Sequence, residues 1–172
     1  MLNAPATVAV LLALPVALIG RSDRLGFIKE EVARIDQDRS LTVDSLDLAV
    51  ASGVSLDGGG ILMYYYRGNQ LVKIMEQCFP SYGMTLTQYY FHNDTLMLIR
   101  DREDDHPLTP DSSGIDPTRL EKRFEASYYM WTAEEDLARE QYGTRVLSEG
   151  PCGTKEWEPT VQRLIDLAPR QR

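Results

Sequence analysis

Two segments decide the fold: "YYYRGNQLVKI", residues 64–74, and "YYFHNDTLMLI", residues 89–99. Each segment has an aromatic pair, a polar break and then an aliphatic run. The breaks contain Gly-Asn or Asn-Asp, and these residues tolerate the positive φ that a tight hairpin turn requires. Each segment therefore predicts a β-hairpin. The predicted strands are 61–66 with 71–76, and 84–91 with 96–100.

A third, weaker copy of the pattern lies at "RFEASYYMWTAEEDLARE", residues 123–140. Tyr128 and Tyr129 supply its aromatic pair, and the predicted turn is enlarged to about "WTAEED". Residues 133–141 are good helix formers, so both helix and strand are open there. The likeness to the first two copies favours a strand. Consecutive hairpins predict one antiparallel meander of about five to six strands.

Amphipathic patterns at the two ends of the chain predict helices. In residues 22–40, Phe27, Ile28, Val32 and Ile35 recur at three- and four-residue spacing. A second helix is predicted from about Pro159, with its apolar face at Val161, Leu164, Ile165 and Ala168. Residues 41–60 predict a connector with at most a turn of helix. The predicted fold class is α+β, an antiparallel meander with an N-terminal and a C-terminal helix packed on one face.

The first twenty residues contain no charged side chain, and the apolar run from Val8 to Ile19 is typical of the central part of a signal peptide. Arg21 and Arg24 follow this run, whereas a signal peptide normally has its basic residues before it. Residues 1–20 are therefore predicted to be a signal peptide or an N-terminal membrane anchor. Residues 21–172 are predicted to form a single domain. The expected location is periplasmic or secreted, and the alternative is anchoring to a membrane by residues 1–20.

The charge balance limits the partners that the folded part would bind. The formal net charge is −8, whereas nucleic-acid binders gain most of their affinity from basic groups that neutralise phosphates. We therefore expect no nucleic-acid partner, and membrane contact only through an uncleaved N-terminus. The chain has two cysteines, Cys78 and Cys152. They are predicted to pair if the chain is exported, and otherwise to be unlinked thiols.

No catalytic set is evident in the sequence. The two histidines are His92 and His106, and neither falls in a known motif with Cys78 or a serine. The run "DREDDH", residues 101–106, lacks the spacing of a calcium loop and predicts a solvated charged loop. "LDGGG" lacks the Lys-Ser/Thr of a phosphate-binding loop. We expect no enzyme activity, cofactor or metal site, and the alternative is a small hydrolase-like enzyme that uses His106 and neighbouring acids.

Tyrosine pairs are the remaining candidates for a function. Adjacent strand residues point to opposite faces, so each pair gives one ring to each side of the sheet. The structural interpretation is cross-strand aromatic packing. The functional one is an aromatic face, carrying Tyr65, Tyr90 and Tyr129, that binds a protein or small ligand.

The helix end "ARIDQ", the step "SLDGGG" and the repeated hairpins of the form Tyr-Tyr/Phe-x-Asn/Gly-Asn/Asp-x-Leu resemble a group of small exported bacterial proteins. The resemblance covers roughly residues 28–131. It implies an exported module with no assigned activity. Together with the sequence patterns, it predicts a non-enzymatic binding or interaction module of bacterial envelope or secreted type. The further alternative is a structural or assembly protein.

Overall fold

The structure is a computed structural model that describes residues 20–53, 57–132, 135–145 and 154–169. In these residues seven strands form one antiparallel sheet in sequence order, β1 to β7. The strands are β1 (Thr42–Asp47), β2 (Gly60–Arg67), β3 (Gln70–Cys78), β4 (Gly83–His92), β5 (Thr95–Asp105), β6 (Glu121–Thr132) and β7 (Glu135–Gly143). The helices are α1 (Arg21–Gln37), α2 (Leu48–Ser52) and α3 (Thr154–Asp166).

Both predicted hairpins are confirmed. The β2–β3 turn has Gly68 at φ 59°, and the β4–β5 turn has Asn93 and Asp94 at φ 48° and 60°. These left-handed conformations match the twist of the flanking strands, which is why Gly, Asn and Asp occupy the turns. The third copy also folds as a hairpin, and β7 confirms that residues 135–143 form a strand. Its predicted long turn is wrong, because Thr132 already pairs with Glu135.

The three hairpins share an irregularity that the sequence pattern did not reveal. In each return strand one residue is skipped in the pairing just after the turn, which makes a β-bulge. The skipped residues are Val72, Met97 and Leu137, and all three are buried on the same side of the sheet. The repeat therefore specifies an aromatic pair, a turn and a bulge as one unit.

The helices lie on opposite faces of the sheet, so the prediction that both pack on one face is wrong. Ile28, Val32 and Ile35 of α1 pack with the second tyrosine of the pairs in β4 and β6, Tyr90 and Tyr129. On the other face, residues of α3 pack with the first tyrosine of each pair; these are Trp157, Val161 and Leu164 against Tyr64, Tyr89 and Tyr128. Because the pairs alternate in direction, both faces are apolar and each needs a cover.

The strand count is seven, not five to six. The strand that the sequence did not predict is β1, which lies within the supposed connector and, among the described strands, pairs with β2 alone. The expected turn of helix in this region is α2, whose first turn is capped by the Asp47 side chain accepting from the Val50 N–H. Helix α3 begins before the predicted start and contains Pro159 in its interior.

The predicted leader lies almost wholly in residues 1–19, outside the described residues. Within the described part of the chain, no helix combines the length and apolar character that crossing a membrane requires.

Candidate functional site

A cleft lies between α3 and the tips of the hairpins, and we call it the tip cleft. It has a volume of about 490 Å³. Three elements build it: the β4–β5 turn, the end of β6 and one face of α3. Glu158, Val161, Gln162 and Ile165 share that helix face, because residues three and four apart on a helix are neighbours.

The floor of the tip cleft is apolar. Phe91 and Val161 are buried, and Leu96 and Ile165 are half-buried around them. Trp131 closes one side. Its place follows from a second bulge in β6, where Met130 pairs with Asp136 and Thr132 with Glu135, so that Trp131 is skipped. Bulges of this kind are common near binding sites.

The rim of the tip cleft is polar and acidic. Asp94 lies on the β4–β5 turn and Glu158 on α3, and both side chains are exposed. Thr95, Thr132 and Gln162 complete the rim. The lining that the structure describes includes no lysine or arginine. The cleft thus offers an apolar floor beneath carboxylates and neutral polar groups.

A second, smaller cleft of about 310 Å³ lies on the other side of Trp131. Phe27 of α1 and His92 of β4 both line it and pack against each other edge to face, with ring centroids 5.0 Å apart. Arg24 covers the Trp131 ring at 5.3 Å from its centroid. Trp131 therefore lines both clefts, and Arg24 covers one face of its indole.

The three tyrosines predicted to form a binding face lie in the core beneath α1 or at its margin. Tyr90 and Tyr129 are buried and Tyr65 is half-buried. The Tyr90 hydroxyl donates to Asp36 of α1 at 3.0 Å, and the Lys73 ammonium lies over the Tyr65 and Tyr90 rings. The structure therefore shows these rings as packing residues under α1 instead of an open face. Ligand binding by them stays a prediction.

The acidic run predicted as a solvated loop is part of β5, and that prediction is wrong. Asp101, Glu103 and Asp104 are all buried. On the α3 side, Arg145 forms ion pairs with Asp101 and Glu103, and Thr87 donates to Asp101 at 3.2 Å. On the α1 side, Arg102 pairs with Asp104 at 2.8 Å. A buried carboxylate is tolerated because each of these has a cationic partner.

Next to this cluster, Glu76 and Cys78 of β3 occupy neighbouring rows of the same face. Burial raises the pKa of the Glu76 carboxyl, and nearby Arg163 partly offsets the rise. Burial also raises the pKa of the Cys78 thiol, against the opposing effect of a hydrogen bond with Thr85. A raised thiol pKa lowers the thiolate fraction, so this cysteine is a weak nucleophile.

Cys78 carries a free thiol in the structure. Its predicted partner, Cys152, lies outside the described residues, and the disulfide stays a prediction.

His106 anchors the loop that joins β5 to β6. Its backbone N–H donates to the Tyr82 carbonyl at 2.8 Å. Its Nδ1 lies 2.6 Å from the Arg119 carbonyl oxygen and must donate to it, since a carbonyl only accepts. These contacts give His106 a structural role at both ends of the loop, and an enzymatic role for it stays a prediction. Among the described residues, no group of three His, Cys, Asp or Glu side chains is arranged to hold a metal ion.

Comparison of the chain with protein-family models, with curated proteins and with solved structures finds no match. The resemblance to small exported bacterial proteins therefore stays a prediction from the sequence. The tip cleft, which sequence patterns did not indicate, is the candidate functional site.

Proposed function

We propose that this protein is an exported, non-enzymatic binding module and that the tip cleft is its ligand site. The observation that carries the proposal is the combination of volume and lining. Ligand sites in proteins are usually clefts of about 300–1,000 Å³ with apolar walls and a few polar groups. The tip cleft, at about 490 Å³, has this size and composition.

The elements around the cleft support a preformed site. The β4–β5 hairpin is paired along its length, from Gly83 with Asp105 to His92 with Thr95, with one bulge at Met97. Helix α3 is fixed to the sheet by the Tyr64 hydroxyl, which donates to the Leu164 carbonyl at 2.8 Å, and by Trp157, which packs edge to face on Tyr89. A rigid site loses less conformational entropy on binding, which favours affinity.

The proposed export rests on the apolar run in residues 8–19, which is typical of the central part of a signal peptide. An exported binding module is consistent with a cleft that faces outward at one end of the sheet. Binding and export are separable properties, and titration with a small ligand tests binding alone.

The uncharged probe phenylbutanol tests the proposed site. The Trp157→Phe variant leaves Trp131 as the sole tryptophan, since the chain has two. We expect saturable changes in Trp131 fluorescence as phenylbutanol is added, because its ring and chain would cover the apolar floor. Gln162→Tyr places a bulky aromatic ring at the exposed rim of the cleft. We expect this variant to bind phenylbutanol about tenfold more weakly, equivalent to roughly 1.4 kcal/mol.

Arg163→Tyr is the matched control, since Arg163 is an exposed α3 residue outside the cleft lining. It should leave the affinity for phenylbutanol unchanged. Absence of saturable binding, or equal effects of the two tyrosine variants, would contradict the tip cleft as the ligand site.

A further inference from the structure

The polar rim of the tip cleft carries two negative charges. Asp94 and Glu158 are carboxylates, which only accept hydrogen bonds when ionised. The Gln162 amide nitrogen donates to Asp166 at 2.9 Å, so the carbonyl oxygen is the group of that side chain left to accept. The rim therefore offers two negative charges, together with neutral hydroxyl and amide groups that carry both donors and acceptors.

The two carboxylates are available to a ligand. Within the described residues, Asp94 and Glu158 enter no ion pair, and the described lining of the cleft contains no lysine or arginine that could neutralise them. The protein as a whole carries a net charge of −8. The long-range field and the local groups thus both attract a cation.

Trp131 adds an aromatic wall to this arrangement. Arg24 covers the Trp131 ring at 5.3 Å from its centroid, so a cation already occupies that face of the ring. Trp131 therefore adds apolar surface to the cleft, and the carboxylates of the rim are the groups that attract an ammonium. The floor beside the ring, formed by Phe91, Leu96, Val161 and Ile165, suits an apolar body rather than a polar one.

We propose that the ligand of the tip cleft is a small amphipathic amine, with its apolar body on the floor and its ammonium between Asp94 and Glu158. This inference rests on the proposed function, because it names the ligand class of the same site. Charge complementarity of this kind contributes mainly to selectivity, and the apolar contact supplies most of the affinity.

Three probes of one shape test the ligand class: phenylbutylamine, phenylbutanol and phenylbutyrate. Their affinities are measured through Trp131 fluorescence in the Trp157→Phe background. We expect the amine to bind about fivefold more tightly than the alcohol, as two partly exposed charge pairs would give. The acid should bind most weakly because its carboxylate faces two others. Raising the salt from ~0.05 to ~0.5 M should reduce the preference for the amine.

The double variant Asp94→Asn, Glu158→Gln removes both charges while keeping the shape of the cleft. Asn suits the positive φ at residue 94 as well as Asp does, so the turn is retained. In this variant the amine should bind no better than the alcohol. Glu30→Gln is the control, because Glu30 is an exposed acid of α1 outside the cleft lining, and it should preserve the preference.

The outcomes separate the two proposals. Equal binding of amine and alcohol to the chain with both acids intact would overturn the amine proposal and leave the site proposal standing. Persistence of the preference in the double variant would overturn the amine proposal in the same way. Failure of all three probes to bind would contradict the proposed function itself.

Discussion

Arg145 shows how one residue determines whether a cluster of charges can be buried. Its guanidinium lies 5.1 Å from the centroid of the Phe124 ring and pairs with Asp101 and with Glu103, the latter at 3.1 Å. The two carboxylates are almost fully buried. Burying unpaired carboxylates would cost several kcal/mol each, so the ion pairs with Arg145 are a condition of the fold at this position.

Replacing Arg145 by Met keeps the aliphatic stem and removes the charge. We expect Arg145→Met to lower the free energy of unfolding by about 3 kcal/mol, because it leaves two buried acids uncompensated. Urea denaturation measures this. Arg123→Met is the control: its pair with Asp105 is exposed at 3.3 Å, so the loss should stay below about 1 kcal/mol. In an Asp101→Asn, Glu103→Gln background, Arg145→Met should cost much less. Equal losses for both arginines would contradict this explanation of the buried charges.

The burial of Asp101 and Glu103 could not be predicted from the sequence. Every residue of "DREDDH" is polar, and such a run is typical of a solvated loop. The compensating cation, Arg145, lies far along the chain, and nothing in the local pattern links it to residues 101–103. The same holds for the tip cleft, since Trp131 reaches it through a bulge that periodicity does not reveal.

The three hairpins of the repeat bury corresponding residues on the same side of the sheet. In each copy the skipped residue and the second tyrosine belong to the α1 side of the sheet; the skipped residues are Val72, Met97 and Leu137. A bulge bends its strand and increases the local twist. The three bulges occupy corresponding places, and their skipped residues all pack in the cluster that contains the buried residues of α1.

Gly26 in α1 and Gly68 in the β2–β3 turn are expected to respond in opposite ways to replacement by alanine. A Cβ at Gly26 or Gly68 would meet no atom within 4 Å, so packing does not distinguish them. Gly26 lies in α1, and Gly26→Ala should raise the free energy of unfolding by about 0.5–1 kcal/mol through helix propensity. Gly68 has φ +59°, a conformation that alanine adopts only with strain. Gly68→Ala should therefore lower the free energy of unfolding by about 1 kcal/mol. Thermal and urea unfolding of the two variants give the comparison, and a shift of the same sign in both would contradict it.

Helices and hairpins with strong local signals were predictable, and β1 was not. The turns at Gly68 and at Asn93-Asp94 carry a conformational requirement that few residues meet, and this makes them visible in the sequence. By contrast β1 is an edge strand of six residues whose side chains are at most half-buried. Its hydrophobic alternation is weak, because pairing with β2 stabilises it more than burial does.

The tyrosine pairs place aromatic rings on both faces of the sheet, so each face needs a packed element that shields it from water. The sequence predicts the alternation of Tyr64 with Tyr65 and of Tyr89 with Tyr90, and therefore two apolar faces. Which helix covers which face depends on how the chain enters and leaves the sheet. Here α1 precedes β1 and α3 follows β7, so the helices reach the sheet from its two ends. Their placement on opposite faces lets a single sheet carry two cores.

Because buried phenols occupy both cores, high pH should destabilise the whole molecule. Burial raises the pKa of Tyr64 to about 12, and it raises the pKa of Tyr89 and Tyr90 as well. Tyr64 and Tyr89 lie under α3, and Tyr90 lies under α1. In the unfolded chain these phenols lose their protons near pH 10. The folded state holds the protons longer, so its advantage is complete below pH 10 and falls as the pH rises from 10 towards 12.

We therefore expect the urea midpoint to fall steeply above about pH 10, in step with the phenolate absorbance of the buried tyrosines. Tyr89→Phe and Tyr90→Phe each remove one titrating group, one from each face, and each should make this fall shallower. A single cooperative transition seen by both absorbance and circular dichroism would show that the two cores unfold together. If the tyrosines titrate fully near pH 10 while the fold persists, or if both variants keep the original pH dependence, the two-core explanation of alkaline instability is wrong.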